Sequence, residues 1–403
     1  MRALPFQIAG FLATPAAAQT VTVTPILDAR LRYEHVEQAP LAKNADALTA
    51  RIRAGFEAKA GAFALLAESE GVLAITPAYN SGLNGKTAFP LVSDPQNVEL
   101  NRLQLQYRGL PKTVVTVGRQ RISLDDQRFV GSVGWRDSEQ TFDAARIEWS
   151  GIKNLKADVT YAWSDRTIWG VDGGNRYGAA RYQAIGGDNV FANLAYASKV
   201  GTLTGFVYLV GQNEALVLRN SSQTYGARLA GAHPFEKANK LTYAFSYARQ
   251  SDYRANPNRY AADYMAGELG FEHKAFKVSG GYERLGADTG VALTSFQTPL
   301  ATLHKFNGWA DKFVVTPADG LGDAYGSFGY GWKQVGPFDT LGVTAVYHRF
   351  DATRIDQHYG DEIDAQIAAK RGRYTALLKY ADYNADRFAT DTRKIWASLE
   401  WTI

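Results

Sequence analysis

"LTARIRAGFEAK", residues 48–59, alternates apolar and polar side chains along almost its whole length. Leu48, Ala50, Ile52, Ala54, Phe56 and Ala58 fall on one side of a two-residue period; Thr49, Arg51, Arg53, Glu57 and Lys59 fall on the other. A strand of this kind has one greasy face and one charged face. In a sheet standing in water the charged face would meet solvent. With the greasy face in lipid, Arg51 and Arg53 must instead line an enclosed interior.

The rest of the chain decides between these readings. It opens with "MRALPFQIAGFLATPAAAQT", in which Arg2, the apolar stretch Ala3–Leu12 and Ala16-Ala17-Ala18 form the three parts of a secretory signal peptide. We therefore expect a leader over 1–18 and a single domain over 19–403. There is no cysteine to staple an exported fold, and past the leader no apolar run is long enough for a membrane helix. Aromatic residues are abundant, with 22 Tyr, 20 Phe and 8 Trp, and so is glycine at 38. With 44 basic against 40 acidic residues, charge gives no reason to expect a nucleic-acid partner. This profile fits an outer-membrane barrel, although secreted soluble β-proteins share part of it.

Alternating segments recur at 26–35, 47–59, 63–73, 98–107, 112–122, 141–149, 155–164, 190–197, 202–211, 224–233, 241–249, 260–272, 276–284, 324–333, 340–350, 362–369, 374–383 and 394–403. Their connections alternate between long and short, the longest being 285–323. That organisation predicts an all-β, 18-stranded antiparallel transmembrane β-barrel with short periplasmic turns and long extracellular loops. Lipid cannot satisfy an open sheet edge, so the sheet must close. Leu155, Val159, Tyr161 and Trp163, Leu241, Phe245 and Tyr247, and Ile395, Leu399 and Trp401 are expected to face outer-membrane lipid.

The opposite parity then gives the lumen: Asp28, Arg30, Arg32 and Glu34, then Arg51 and Arg53, then Arg102, and then Arg146 with Glu148. Arg119 and Arg121, in "GRQRI", are placed nearer the long-loop rim, with the inside–outside phase of their strand open because Val115 and Val117 share their parity. Clustered guanidiniums in an aqueous pore concentrate anions, and their planar forks suit carboxylates. Glu34, Glu57, Glu68, Glu70 and Glu148 share the same interior. Two outcomes therefore stand side by side, a net positive constriction and a wall of structural ion pairs.

Four stretches carry a family resemblance: "RLRYEHVEQAPLAKNADALTARIRAGFEAK" (30–59), "GRQRISLDDQRFVGSVGWRDSEQTFDAARI" (118–147), "FQTPLATLHKFNGWADKF" (296–313) and "LLKYADYNADRFATDTRKIWASLEW" (377–401). Together they resemble the alginate export family of outer-membrane barrels. The resemblance implies a monomeric porin whose basic lumen passes an anionic uronic-acid polymer. It also implies an anion-path role for Arg30, Arg32, Arg51, Arg53, Arg119 and Arg121. Expected partners are an anionic sugar, outer-membrane lipid, the barrel assembly machinery and periplasmic export or uptake components.

Other chemistry finds little support. Asp125-Asp126 reads as a solvated turn, and the six histidines show neither metal-ligand spacing nor a serine two places on. "VDGGNRYGAARYQAIGGD" (171–188) lacks the Lys-Ser/Thr of a phosphate loop and reads as a mobile extracellular loop. We expect no cofactor, no metal and no catalytic residue; a general or small-carboxylate porin is the alternative, and a barrel enzyme a more distant one. The connection 285–323 is too apolar to stand in water, with Phe296, Leu300, Leu303, Phe306 and Trp309, and is expected either to enter the barrel mouth or to cap the rim. On the sequence alone, exchanging Arg51 and Arg53 for Glu is expected to lower anion selectivity in planar bilayers with little loss of assembly.

Overall fold

The computed structural model describes residues 20–176 and 179–403; the expected leader over 1–18 lies outside the described residues. All eighteen expected strands are present. They are β1 (Thr22–Gln38), β2 (Ala45–Ala60), β3 (Phe63–Ala78), β4 (Asn97–Tyr107), β5 (Thr113–Gln120), β6 (Thr141–Trp149) and β7 (Leu155–Arg166). After a small loop hairpin of β8 (Gly174–Arg176) and β9 (Ala179–Arg181) come β10 (Ala184–Ser198), β11 (Gly201–Val210), β12 (Ser222–Phe235), β13 (Asn239–Asp252), β14 (Ala261–His273) and β15 (Phe276–Leu285). The wall is completed by β16 (Leu321–Val335), β17 (Phe338–Asp351), β18 (His358–Arg371), β19 (Tyr374–Ala385) and β20 (Thr392–Thr402). Most strands run longer than their alternating stretch, because pairing continues past the apolar belt toward the long-loop rim.

Each barrel strand pairs antiparallel with its neighbours, and β20 pairs with β1 from Asp28↔Thr402 to Gln38↔Thr392. The eighteen strands thus close into a single sheet with no free edge. Backbone N–H and C=O groups that would face hydrocarbon unpaired at a sheet edge now find partners in the next strand. The outer face is apolar: Leu31, Ile52, Leu103, Val159, Phe245, Ile367 and Leu399 are all exposed.

The stretch 171–188, expected as a loop throughout, instead forms the β8–β9 hairpin and the first residues of β10. The interior also departs from a uniformly charged lumen. Along the arc β1–β5 the inward side chains are polar, but in the upper parts of β6 to β20 they include Phe142, Phe191, Phe206, Tyr208, Tyr264, Phe350, Tyr383 and Trp396. Against these pack two long connections that turn down into the barrel, 121–140 and 286–320. Ile122, Leu124 and Val130 from the first and Phe296, Leu300 and Phe313 from the second are buried there. Val130 and Leu300 form a parallel bridge between the two loops. The apolar connection near 285–323 therefore enters the mouth, and a second loop enters with it.

Ile52 is 56% exposed near the middle of β2. Arg at this position should destabilise the barrel by about 2–4 kcal/mol, the cost of a guanidinium near the bilayer midplane; refolding titrations into vesicles would measure it.

Candidate functional site: a partitioned lumen

The lumen arginines are held by carboxylates, most from neighbouring strands and two, Asp137 and Glu139, from a loop. Arg30 donates to Asp137 at 2.7 and 3.0 Å, and to the backbone carbonyl of Arg136 at 2.6 Å. Arg51 pairs with Asp28 and, at 2.7 Å, with Glu400. Arg53 pairs with Glu70 and, at 2.5 Å, with Glu139. Arg121 donates to both oxygens of the same Glu139 at 2.6–2.9 Å. Arg102 makes a bidentate pair with Glu68 at 2.6 and 2.9 Å, and Arg146 pairs with Asp158.

Arg119 resolves its open phase outward. It shares the parity of Val117, which is 46% exposed, and forks onto Asp143 on the outer wall at 2.8 and 3.1 Å. The backbone turns at Gly118, where φ is +114° and a Cβ would lie 2.3 Å from the Leu103 carbonyl oxygen, so only glycine fits. On the facing strands, a bulge opposite Glu68 turns both Asn101 and Arg102 inward, and both bond Glu68. Asp125 and Asp126 are likewise not a free turn: both pair with Arg228 on β12, at 2.7 and 3.2 Å.

Arg32 differs from the others. Its nearest carboxylate, Asp94, is 3.9 Å away, its guanidinium lies 4.2 Å over the Trp135 ring, and its buried Nε and Nη1 have no hydrogen-bond partner among the described residues. The other face of this cluster comes from the second loop. His304 stacks on Trp135 with ring centroids 4.3 Å apart. Its Nδ1 lies 2.7 Å from Asp311, and its Nε2 lies 2.7 Å from the Lys379 ammonium. Lys379 in turn sits 3.7 Å from the Trp309 ring centre and 4.2 Å from that of Trp135.

The hydrogen bonds assign His304 as neutral, donating from Nδ1 to Asp311 and accepting at Nε2 from Lys379. Burial, with Lys379 and Arg136 adding to it, pushes its pKa down to about 3 despite Asp311. Burial would raise the Asp311 carboxyl, but Lys394, His304 and Arg136 outweigh it and hold the acid well below its usual range.

These residues form a wall one side chain thick across the lumen. Val133, Arg136, Leu303 and Ala310 line an upper vestibule of about 540 Å³. Their sequence neighbours Gly134, Trp135, Thr302 and Trp309 line a lower chamber, also of about 540 Å³. His304 lines both. Besides Trp135 and His304, the lower chamber is lined by Arg30, Arg32, Lys305, Lys379 and Glu400. A second lower chamber of about 420 Å³ adjoins it, sharing Lys305 and Trp309.

Strand periodicity reached the inward arginines and the strand acids Asp28, Glu68 and Glu70 that pair with Arg51, Arg102 and Arg53, but not the partners supplied by loops. Asp94, Asp137, Glu139, His304 and Asp311 sit in loops, where a two-residue alternation has no meaning. Only the density of charge in "WRDSEQ" (135–140) could have drawn notice to the first loop. Inward Lys379 and Lys394 were legible by parity, but their roles depend on loops far away in sequence.

The profile of the alginate export family matches residues 77–166, a segment running from the end of β3 through the 121–140 loop to the end of β7. Of the four resembling stretches, it contains 118–147 alone. Among curated proteins no sequence matches. Solved structures do. The outer membrane protein opdK from Pseudomonas aeruginosa aligns with TM-score 0.69 at 13% identity, covering 94% of this chain and 98% of that one. Pseudomonas aeruginosa OpdO gives 0.69 at 15%, over 94% and 97%. Acinetobacter baumannii OccAB4 gives 0.67 at 13%, over 96% and 99%. At these identities the likeness shows the fold.

Arg53→Ala would leave Glu70 buried without its cation and Glu139 with Arg121 alone, at a cost of about 3–5 kcal/mol to the loop clamp. We expect higher and noisier single-channel conductance with the folded-barrel gel mobility retained; the same clamp makes loss of the loop, rather than a simple change of selectivity, the expected result of Arg51→Glu with Arg53→Glu. Deleting 296–313 should raise conductance further. Acid should loosen the partition too. His304 is neutral when packed, but takes up a proton with a pKa of about 6.5 once released to water. Its contribution is therefore present above about pH 6.5 and falls as pH drops toward about 3. Between about pH 7.5 and 5 the released state should gain up to about thirtyfold, and His304→Gln should remove that dependence of channel noise.

Proposed function

Taking the chain as an outer-membrane β-barrel channel of the alginate-export type, we propose that it passes small anionic solutes, carboxylated sugars and short oligouronates among them. The observation that carries this reading is the lower chamber. Arg32, Lys305 and Lys379 line it, and none of them has a carboxylate within hydrogen-bond distance among the described residues. Arg32 keeps two N–H groups unpartnered, Lys305 donates only to the Asp126 carbonyl at 2.7 Å, and Lys379 bonds only His304. Ion pairs neutralise most of the other lumen arginines; Arg32 has only Asp94, at 3.9 Å, and Lys305 and Lys379 have no acid at salt-bridge distance among the described residues, so these three leave positive charge on the path. The arginines Arg30, Arg51, Arg53, Arg102, Arg121 and Arg146 serve the path chiefly by holding its walls and the partition.

The partition bears on solute size. Two loops divide the lumen into chambers of a few hundred Å³, suited to one or a few sugar units. The family match over 77–166 favours a second reading, passage of a longer polyuronate, because that segment includes one of the partition loops. Polymer passage requires the partition to move aside. The chemistry of the wall favours a channel over an enzyme: the Asp311–His304–Lys379 chain ends on an ammonium and presents no hydroxyl or thiol nucleophile to be activated.

Reversal potentials in planar bilayers under a salt gradient test the reading. The wild type should prefer anions, and Lys305→Gln, an exposed position outside the clamp, should reduce the anion-to-cation permeability ratio about threefold at low salt. Cation preference in the wild type would refute an anion path. Block by short oligouronates with none by long ones would favour the small-solute reading.

A further inference from the structure

The two lower chambers differ in charge: Lys305 lines both, but Arg32 and Lys379 line only the first, where Glu400 is paired with Arg51, and Glu268 and Asp323 line only the second. The first presents Arg32, Lys305 and Lys379 from β1, the 286–320 loop and β19. The second faces the opposite wall and presents Glu268 and Asp323 from β14 and β16. Its other acids are already matched: Glu283 by Arg128 at 2.6 Å and Asp126 by Arg228 at 3.2 Å. Glu268 has no cation within salt-bridge distance among the described residues and accepts only the Tyr325 hydroxyl, at 2.8 Å. Asp323 is bonded by His348 at 2.9 Å and by the Asn307 amide at 3.1 Å. Across from them Arg32, 2% exposed, lines the first chamber with its guanidinium over the Trp135 ring. Trp309 lines both spaces and forms the divide between them.

We infer that this paired site takes a short zwitterion, with its carboxylate in the Arg32–Lys379 chamber and an ammonium at its other end beside Glu268. The inference rests on the anion reading above, since it uses the same cationic chamber, and extends it to a solute class. A simple anion gains from one chamber and is repelled by the other. A solute with a carboxylate at one end and an ammonium at the other gains from both, and the field between the walls orients it as it passes. The combined space of about 540 and 420 Å³ admits a molecule the size of a tripeptide. Peptide-like zwitterions and ω-amino acids therefore fit, whereas a sugar acid uses only half of the site.

Proteoliposome swelling with three matched solutes tests this: triglycine, a zwitterion; N-acetyltriglycine, an anion; and triglycinamide, a cation. Triglycine should enter about fivefold faster than N-acetyltriglycine, the factor that one water-exposed ion contact at about 4 Å supplies. Glu268→Gln, which keeps the acceptor for Tyr325, should abolish that advantage while N-acetyltriglycine still outpaces triglycinamide. Triglycine entering no faster than N-acetyltriglycine, or keeping its advantage in Glu268→Gln, overturns the inference alone. N-acetyltriglycine entering no faster than triglycinamide overturns the anion reading and this inference with it.

Discussion

Backbone hydrogen bonding in hydrocarbon is the constraint on which everything else in this molecule depends. A strand in lipid has no water to satisfy its N–H and C=O groups, so the sheet must run from β1 round to β20 and close on itself. Closure of eighteen strands encloses a space too wide for wall side chains alone to fill. Something must either fill that space or leave it open. Here two loops fill its upper part, and the chemistry of the channel follows from how they are held.

They are held in two different ways. On the β1–β5 arc the holding is electrostatic: Arg30 and Arg53 reach out of the wall to Asp137 and Glu139 of the 121–140 loop. Buried ion pairs of this sort add little net stability, because desolvation offsets most of the attraction, but they penalise any arrangement that separates the partners. They therefore fix position. On the opposite arc the holding is apolar, with Phe129 packed among Phe206, Tyr208, Tyr264 and Phe296 at centroid distances of 5.0–5.9 Å. Burial of these rings supplies the stabilisation that the ion pairs do not. Between the two arcs the loops meet at Trp135 and His304 and divide the lumen.

Charge in such a lumen cannot be counted from composition. Arg51 and Arg32 lie on adjacent inward positions of β2 and β1 and are equally buried. Arg51 is clasped by two carboxylates, whereas Arg32 rests on an indole face. The first braces the wall, and the second is left with its nearest carboxylate at 3.9 Å. The same holds for Lys394, which pairs with Asp311, against Lys379, which lies on the adjacent strand opposite Trp396 and finds only a neutral imidazole. Most of the lumen arginines are matched by acids and make the frame, while Lys305 and Lys379 have no acid at salt-bridge distance among the described residues.

The sequence by itself determined the strands, their number, their closure and the face each side chain presents, because a two-residue alternation is a local property that lipid on one side enforces residue by residue. That is why Arg30, Arg32, Arg51, Arg53, Arg102 and Arg146 could be placed inside from "LTARIRAGFEAK" and its counterparts. Arg119 stayed open for the same reason: its strand is short and its apolar neighbours share its parity. Only the tertiary structure decided how Arg30, Arg53 and Arg121 are matched, because their partners Asp137 and Glu139 come from a loop that enters the barrel from above. Loop paths are set by packing against residues far away in the chain, and no periodicity records them. The partition at His304, and the division of the lower lumen into two chambers that differ in charge, exist only once those loops are in place.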